Sequence, residues 1–292
     1  MMFMMGLLCL NVQTLWKNPN NQAHFVVQIV VDLKRMNPKN KTNPLNGRNQ
    51  NMSIHWVVLV ILARSLFLIL YQGLLACHYA SINDPEPWGS AAQWWTVYGT
   101  AVDISCLILL AMLLKREGKG LFSLLDFDRT KVISDIKKGF LVFILIFPLI
   151  GFLYSSGMGK LILNETSYNL ISGQLALRTL PSWGFYYSVF VWWFIWSMTE
   201  ELTYQAFGLN RLLKKFGRTK AVLFVGFFWA IQHSFLPLIF DWPYILWRFV
   251  SFLPLVIGLM IAYMKIGRIT PLIFAHALMD INAAVWTFNY WE

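Results

Sequence analysis

Seven stretches of this chain are each about twenty residues long and predominantly apolar, and that is the length a helix needs to cross a bilayer. They lie at about 54–76, 92–114, 139–156, 183–207, 219–240, 244–264 and 269–288. Strands that span a membrane are shorter and alternate in polarity, so these runs predict helices rather than a β-barrel. The expected fold is all-α: a polytopic bundle of about seven transmembrane helices. Composition agrees, since only 13% of residues are charged against roughly 25% in a soluble domain.

Basic residues between the runs predict the orientation, because Lys and Arg accumulate on the cytoplasmic side. Residues 1–53 hold Lys17, Lys34, Arg35, Lys39, Lys41 and Arg48, whereas loop 77–91 has none. Loop 115–138 carries seven, and loop 157–182 has only Lys160 and Arg178. Arg211, Lys214, Lys215, Arg218 and Lys220 follow on the first side, with Lys265 and Arg268 before the last run. Twenty of the twenty-four basic residues therefore fall on alternate loops, which predicts a cytoplasmic N-terminus and an external C-terminus. The same distribution accounts for the net charge of +10, through attraction to an anionic inner leaflet. No RNA- or DNA-binding signature is present, so nucleic acid is not an expected partner.

Residues 1–53 read as a polar N-terminal segment rich in Asn, Lys and Gln. Such a composition buries too little apolar surface to order itself. Met52, directly before the first run, is an alternative start. The membrane domain is then 54–292. The three cysteines, Cys9, Cys77 and Cys106, form neither a CxxC pattern nor an even disulfide set. No internal repeat of the kind that builds inverted-repeat transporters is visible.

Ionisable residues inside the runs are costly to bury and mark functional positions by default. Arg64 and Asp103 lie at similar depth in the first two runs, which predicts a structural ion pair that removes most of the burial cost. A denser set lies further on. Glu201 and Gln205 are four apart and share a helix face, as do Trp229 and His233, and His276 and Asp280. Lipid cannot satisfy these polar stripes, so they should face one another across a pocket that also contains Glu200. Glu200 and His276 lie about seven residues, and His233 about fourteen, from the cytoplasmic ends of their runs, so the helix of His233 must tilt or start deeper.

Two hydrolytic chemistries fit such a pocket. A carboxylate assisted by an imidazole can act as general base on a water that attacks a peptide carbonyl. The second imidazole and a protonated Asp280 then hydrogen-bond the developing oxyanion. Alternatively, Glu200, His233 and His276 bind zinc and the metal activates the water. There is no HExxH. Proton-coupled transport through the same cluster is a third reading.

The sequence Glu200-Glu201-x-x-x-Gln205, followed by Trp229-x-x-x-His233 and His276-x-x-x-Asp280, resembles the EExxxR, FxxxH and HxxxN/D motifs of the CPBP family. That family comprises the type II CAAX prenyl endopeptidases and the bacteriocin-processing or self-immunity (Abi) proteins. The resemblance covers residues 183–288 and implies an intramembrane endopeptidase that depends on glutamate and requires no cofactor. It implies that Glu200 activates water with His233 as partner, that Glu201 supports the site, and that His276 and Asp280 line the oxyanion position. Trp229 keeps the aromatic of the second motif. Gln205 stands where the family has arginine, and a neutral amide cannot hold a pair of carboxylates by charge. Arg64 or Arg248 could supply that charge from another helix. Without it, a non-catalytic binding relative is the alternative function. The expected setting is a multi-pass protein of a bacterial plasma membrane, with the lipid bilayer and a peptide or protein substrate as its partners.

Overall fold

The computed structural model describes residues 52–175 and 180–289, with side chains as far as Ala284. The segment 1–51, and with it nearly all of the expected polar N-terminal region, lies outside the described residues. The described secondary structure is helical, apart from one isolated antiparallel bridge between Phe235 and Leu238.

The first long helix, α1, spans Ile54–Ser81; a short α2, Pro87–Ala92, leads into α3, Trp95–Arg116. After two 3₁₀ turns, α4 (Val132–Ile146) continues through a π-helical stretch, Phe147–Tyr154, into α5 (Ser155–Ile162). Helix α6 is Glu165–Leu175. From Ser182 the chain runs through α7 (Ser182–Tyr187), a π stretch Ser188–Trp192, α8 (Trp193–Glu200), a second π stretch Glu201–Leu209 and α9 (Asn210–Phe216). Helices α10 (Arg218–Gln232), α11 (Trp242–Ile266) and α12 (Thr270–Asn289) complete the bundle.

Four of these segments are long and apolar enough to cross a membrane: Ile54–Ser81, Trp95–Arg116, Arg129–Ile162 and Trp242–Ile266. They coincide with four of the seven expected runs. The other three runs fall on α7 through the π stretch Glu201–Leu209, on α10 and on α12, the segments that carry the polar stripes. Outward faces are apolar, and the buried polar residues are set among the apolar ones of the inward faces. In α1, Leu66, Leu70 and Leu74 are exposed, whereas Arg64 and Gln72 have no exposed surface. Polar side chains kept inside and apolar ones left outside are what a bilayer requires, because lipid offers no partner to a polar side chain. The chain is an integral membrane protein.

The expected run 219–240 is not one helix. Helix α10 stops at Gln232, and residues 233–241 form an irregular segment before α11. An α-helix continued through Pro237 would lose an N–H bond and set the proline ring against the carbonyl of His233. The backbone freed in this way is satisfied by protein. Arg248 donates from Nε to the His233 carbonyl at 2.9 Å and from Nη2 to that of Leu236 at 3.1 Å. The Gln72 amide donates to the Leu238 carbonyl at 2.9 Å and accepts from the Leu238 N–H at 2.8 Å, much as a neighbouring strand would. Tyr244 donates to the Pro237 carbonyl at 3.1 Å. Arg248, unexplained by the sequence alone, thus ties off the end of α10, where a cation also complements the helix dipole.

The start of α12 is held with equal care. Gly267, at φ 71°, ends α11 in the left-handed region that favours glycine. The Asp126 carboxylate accepts the N–H groups of Ile269 and Thr270 at 2.8 and 3.1 Å. Arg268 forms a two-pronged pair with Asp135 of α4 at 3.1 and 2.6 Å. Helix α4 then packs closely on α12, because Gly139 has no side chain. A Cβ there would lie 2.5 Å from the Pro271 carbonyl and 2.9 Å from the Phe274 ring. Gly139→Ala is expected to destabilise the protein by about 1–3 kcal/mol, as overpacking a close helix contact does, read as a lower thermal midpoint in detergent. An unchanged midpoint would show that α4 and α12 sit further apart.

Candidate active site

Glu200, at the end of α8, has no exposed surface. Such a carboxylate is tolerable only where protein donors replace water. One oxygen, Oε2, accepts the Trp229 indole N–H at 2.6 Å. The other, Oε1, accepts from the Gln232 amide, and Arg64 Nη2 lies 3.5 Å from it. Trp229 and Gln232 are three apart on α10 and therefore present their donors on one face. The Gln232 carbonyl oxygen in turn accepts from Arg64 Nε at 3.0 Å and from the Tyr204 hydroxyl at 2.9 Å. Tyr204 stacks on Trp229 with ring centroids 5.1 Å apart, which fixes the indole that binds Glu200.

Both imidazoles flank the same carboxylate. His233 Nε2 lies 3.9 Å and His276 Nε2 3.7 Å from Glu200 Oε2. These separations exceed a direct hydrogen bond, so neither Nε2 is spent on Glu200. The orientation of each ring is set from its other nitrogen. His233 Nδ1 donates to the Trp229 carbonyl at 2.8 Å, and its ring stacks on Phe252 at 3.8 Å between centroids. His276 Nδ1 meets Glu201 Oε1 at 3.0 Å. Glu201 Oε2 accepts the Gln205 amide at 2.5 Å. Asp280 Oδ1 lies 3.7 Å from His276 Nε2, and its Oδ2 has no hydrogen-bond partner among the described residues. His233 and His276 are nearly buried, and Asp280 is somewhat more open.

The three polar stripes therefore do converge, and they bring together Glu200, Glu201, Gln205, Trp229, His233, His276 and Asp280. His233 sits fifteen residues past Arg218, while His276 is six past Thr270. At about 1.5 Å per residue, that difference means α10 and α12 are inclined or begin at different levels. Among the described residues no three His, Cys, Asp or Glu side chains are disposed to hold a metal ion.

The pair between Arg64 and Asp103 exists, at 2.7 Å between α1 and α3. It is more than a strut between the first two helices, since Arg64 also reaches Glu200 and Gln232. Arg248 contacts the His233 carbonyl and not the glutamates. Gln232 and Tyr204 were not singled out from the sequence. Gln232 had a visible sign, as a polar residue between Trp229 and His233 in an apolar helix. Tyr204, inside the first motif, had none beyond its place there.

Fold and site together define a polytopic helical membrane protein with a buried Glu/His/Asp cluster. Residues 182–282 match the family described as Type II CAAX prenyl endopeptidase Rce1-like, and the match supports the membership of the CPBP family to which the three motifs point. It spans about a third of the chain and contains all seven motif residues. No curated protein and no solved structure matches the chain.

Gln232 joins Arg64, Tyr204 and Glu200 through one side-chain amide. Gln232→Leu leaves the Tyr204 hydroxyl with only the Ile61 carbonyl at 3.4 Å, Arg64 Nε without its acceptor, and Glu200 Oε1 with only Arg64 Nη2 at 3.5 Å. Thermal unfolding should show a loss at or above the upper end of the about 1–3 kcal/mol typical of one orphaned buried group. Tyr204→Phe should cost only about 1 kcal/mol, because the Gln232 oxygen keeps Arg64. Equal losses in the two variants would argue against this network.

Proposed function

We propose that the protein is an intramembrane endopeptidase that hydrolyses a peptide bond in a membrane-associated peptide or protein. The observation that carries the reading is the placing of two imidazole nitrogens within 4 Å of one buried carboxylate oxygen, Glu200 Oε2. The family match over 182–282 supports it. In the proposed reaction a water beside Glu200 and His233 gives its proton to the Glu200 carboxylate while its oxygen bonds to the scissile carbonyl carbon. The carbonyl oxygen becomes an oxyanion that accepts hydrogen bonds from His276 and from Asp280 in its protonated form. With Nδ1 donating to Glu201, His276 offers an N–H from Nε2 as an imidazolium, whose charge the neighbouring carboxylates balance. The C–N bond then breaks, and the proton held by Glu200 passes to the departing amine. Glu201 and Gln205 hold His276 in place.

The arrangement proposed in the membrane is seven spans with the N-terminus in the cytoplasm, which the alternation of basic loops supports. Maturation of a peptide, or self-immunity against a bacteriocin, at a bacterial plasma membrane is the role proposed for the cleavage. A peptide library presented to the detergent-purified protein tests the chemistry. Wild type should cleave with a chelator present, and Glu200→Gln should lower kcat by at least about 10²-fold, the scale of a lost general base. Loss of cleavage on chelation would instead favour zinc held by Glu200, His233 and His276. Activity surviving in Glu200→Gln would sink the glutamate mechanism. A folded wild type that cleaves nothing would favour the non-catalytic relative, and solute or proton flux in liposomes the transporter.

A further inference from the structure

The first motif presents a charge problem. Glu200 and Glu201 are adjacent, both without exposed surface, and the arginine expected four residues on is Gln205. Gln205 satisfies one oxygen of Glu201 but brings no charge. Two neighbouring buried carboxylates repel strongly unless a cation lies close.

The guanidinium that reaches this pair comes from a different helix, outside the matched segment. Arg64, on α1, has no exposed surface, and its three nitrogens are divided among three partners. Nη1 pairs with Asp103 on α3 at 2.7 Å, Nε donates to the Gln232 oxygen at 3.0 Å, and Nη2 faces Glu200 Oε1 at 3.5 Å. The Trp196 ring lies under the guanidinium, 4.3 Å from its carbon. Arg64 acts on Glu200 twice, by charge directly and through the Gln232 amide, which it polarises while that amide donates to the same carboxylate oxygen. The planar fork of arginine reaches three separated acceptors from three nitrogens, whereas a lysine offers its donors from one.

We propose that Arg64 takes over the part left vacant at Gln205: it is a positioning residue that neutralises and orients Glu200, and Asp103 holds it at that station. The catalytic unit then extends beyond 182–282 to include α1 and α3. The inference rests on the reading of Glu200 as the water-activating base. An ion pair that merely pinned α1 to α3 would need Arg64 and Asp103 alone, and neither the fork to Gln232 nor the approach to Glu200.

The test removes both members of the pair together, since an unpaired Asp103 in the core would threaten folding. Peptide cleavage is compared in wild type, Arg64→Met/Asp103→Asn, and the same double variant carrying Gln205→Arg. The double variant should lose about 10²-fold in kcat, the scale of a lost electrostatic contact at a reacting centre. Its KM should stay within about threefold of wild type, because no substrate contact is removed. Gln205→Arg should recover about tenfold or more, by returning a cation to the glutamate pair. A folded double variant with kcat within about threefold of wild type overturns the proposal. So does a loss that Gln205→Arg leaves untouched, which would show that Arg64 only joins helices.

Wild type that is inactive on every peptide marks failure of the peptidase reading, and is separable because all variants are then equally silent. The proposal is then decided by thermal unfolding of Arg64→Met/Asp103→Asn, Glu200→Gln and the three substitutions combined. Shifts in midpoint that fall well short of adding support coupling of Arg64 to Glu200, and additive shifts overturn it.

Discussion

The burial of Glu200 is the constraint from which most of this structure follows. A carboxylate with no exposed surface costs several kcal/mol unless donors replace its hydration. Here those donors are Trp229 and Gln232 from α10 and Arg64 from α1, with His233 and His276 close by. Each donor must itself be held. Tyr204 stacks on Trp229 and hydrogen-bonds Gln232, Asp103 fixes Arg64, and Glu201 fixes His276. One buried charge therefore specifies the relative placement of α1, α3, α8, α10 and α12. The apolar outer faces keep the bundle in lipid but carry no comparable specificity, because one apolar face meets lipid tails about as well as another.

Two of the departures from regular α-helix sit at the same charge. The π-helical stretch Glu201–Leu209 begins directly after Glu200, and α10 ends directly before His233. Irregular backbone in a membrane protein must find its partners in protein. After α10 they are Arg248, Gln72 and Tyr244, all from helices that pack on the site. Placing His233 at a helix end lets its Nδ1 bond the Trp229 carbonyl of the last turn, and so aims Nε2 at Glu200.

Much of this was legible from residue order, for identifiable reasons. Apolar runs near twenty residues reveal helices because bilayer thickness imposes that length. Polar residues four apart within such runs reveal a shared face, and lipid forces those faces inward. Hydropathy could not show that α10 stops at Gln232, because Phe235, Leu236, Leu238 and Ile239 keep the run apolar after the helix has ended. Spacing also could not show that Arg64 meets Glu200. The two are 136 positions apart, and the nearer explanation, a pair with Asp103, was true but incomplete. Short-range pattern reports faces, whereas a contact between distant helices depends on how they cross.

In the proposed reaction Glu200 delivers a water directly to a peptide carbonyl. Its most direct test is a single turnover in ¹⁸O-labelled water, with the products read by mass spectrometry. One ¹⁸O is expected in the new C-terminal carboxylate in the first turnover. A folded protein that yields no product would contradict it. So would a first product carrying unlabelled oxygen with the label left on Glu200, which would mean that the side chain itself attacked the substrate.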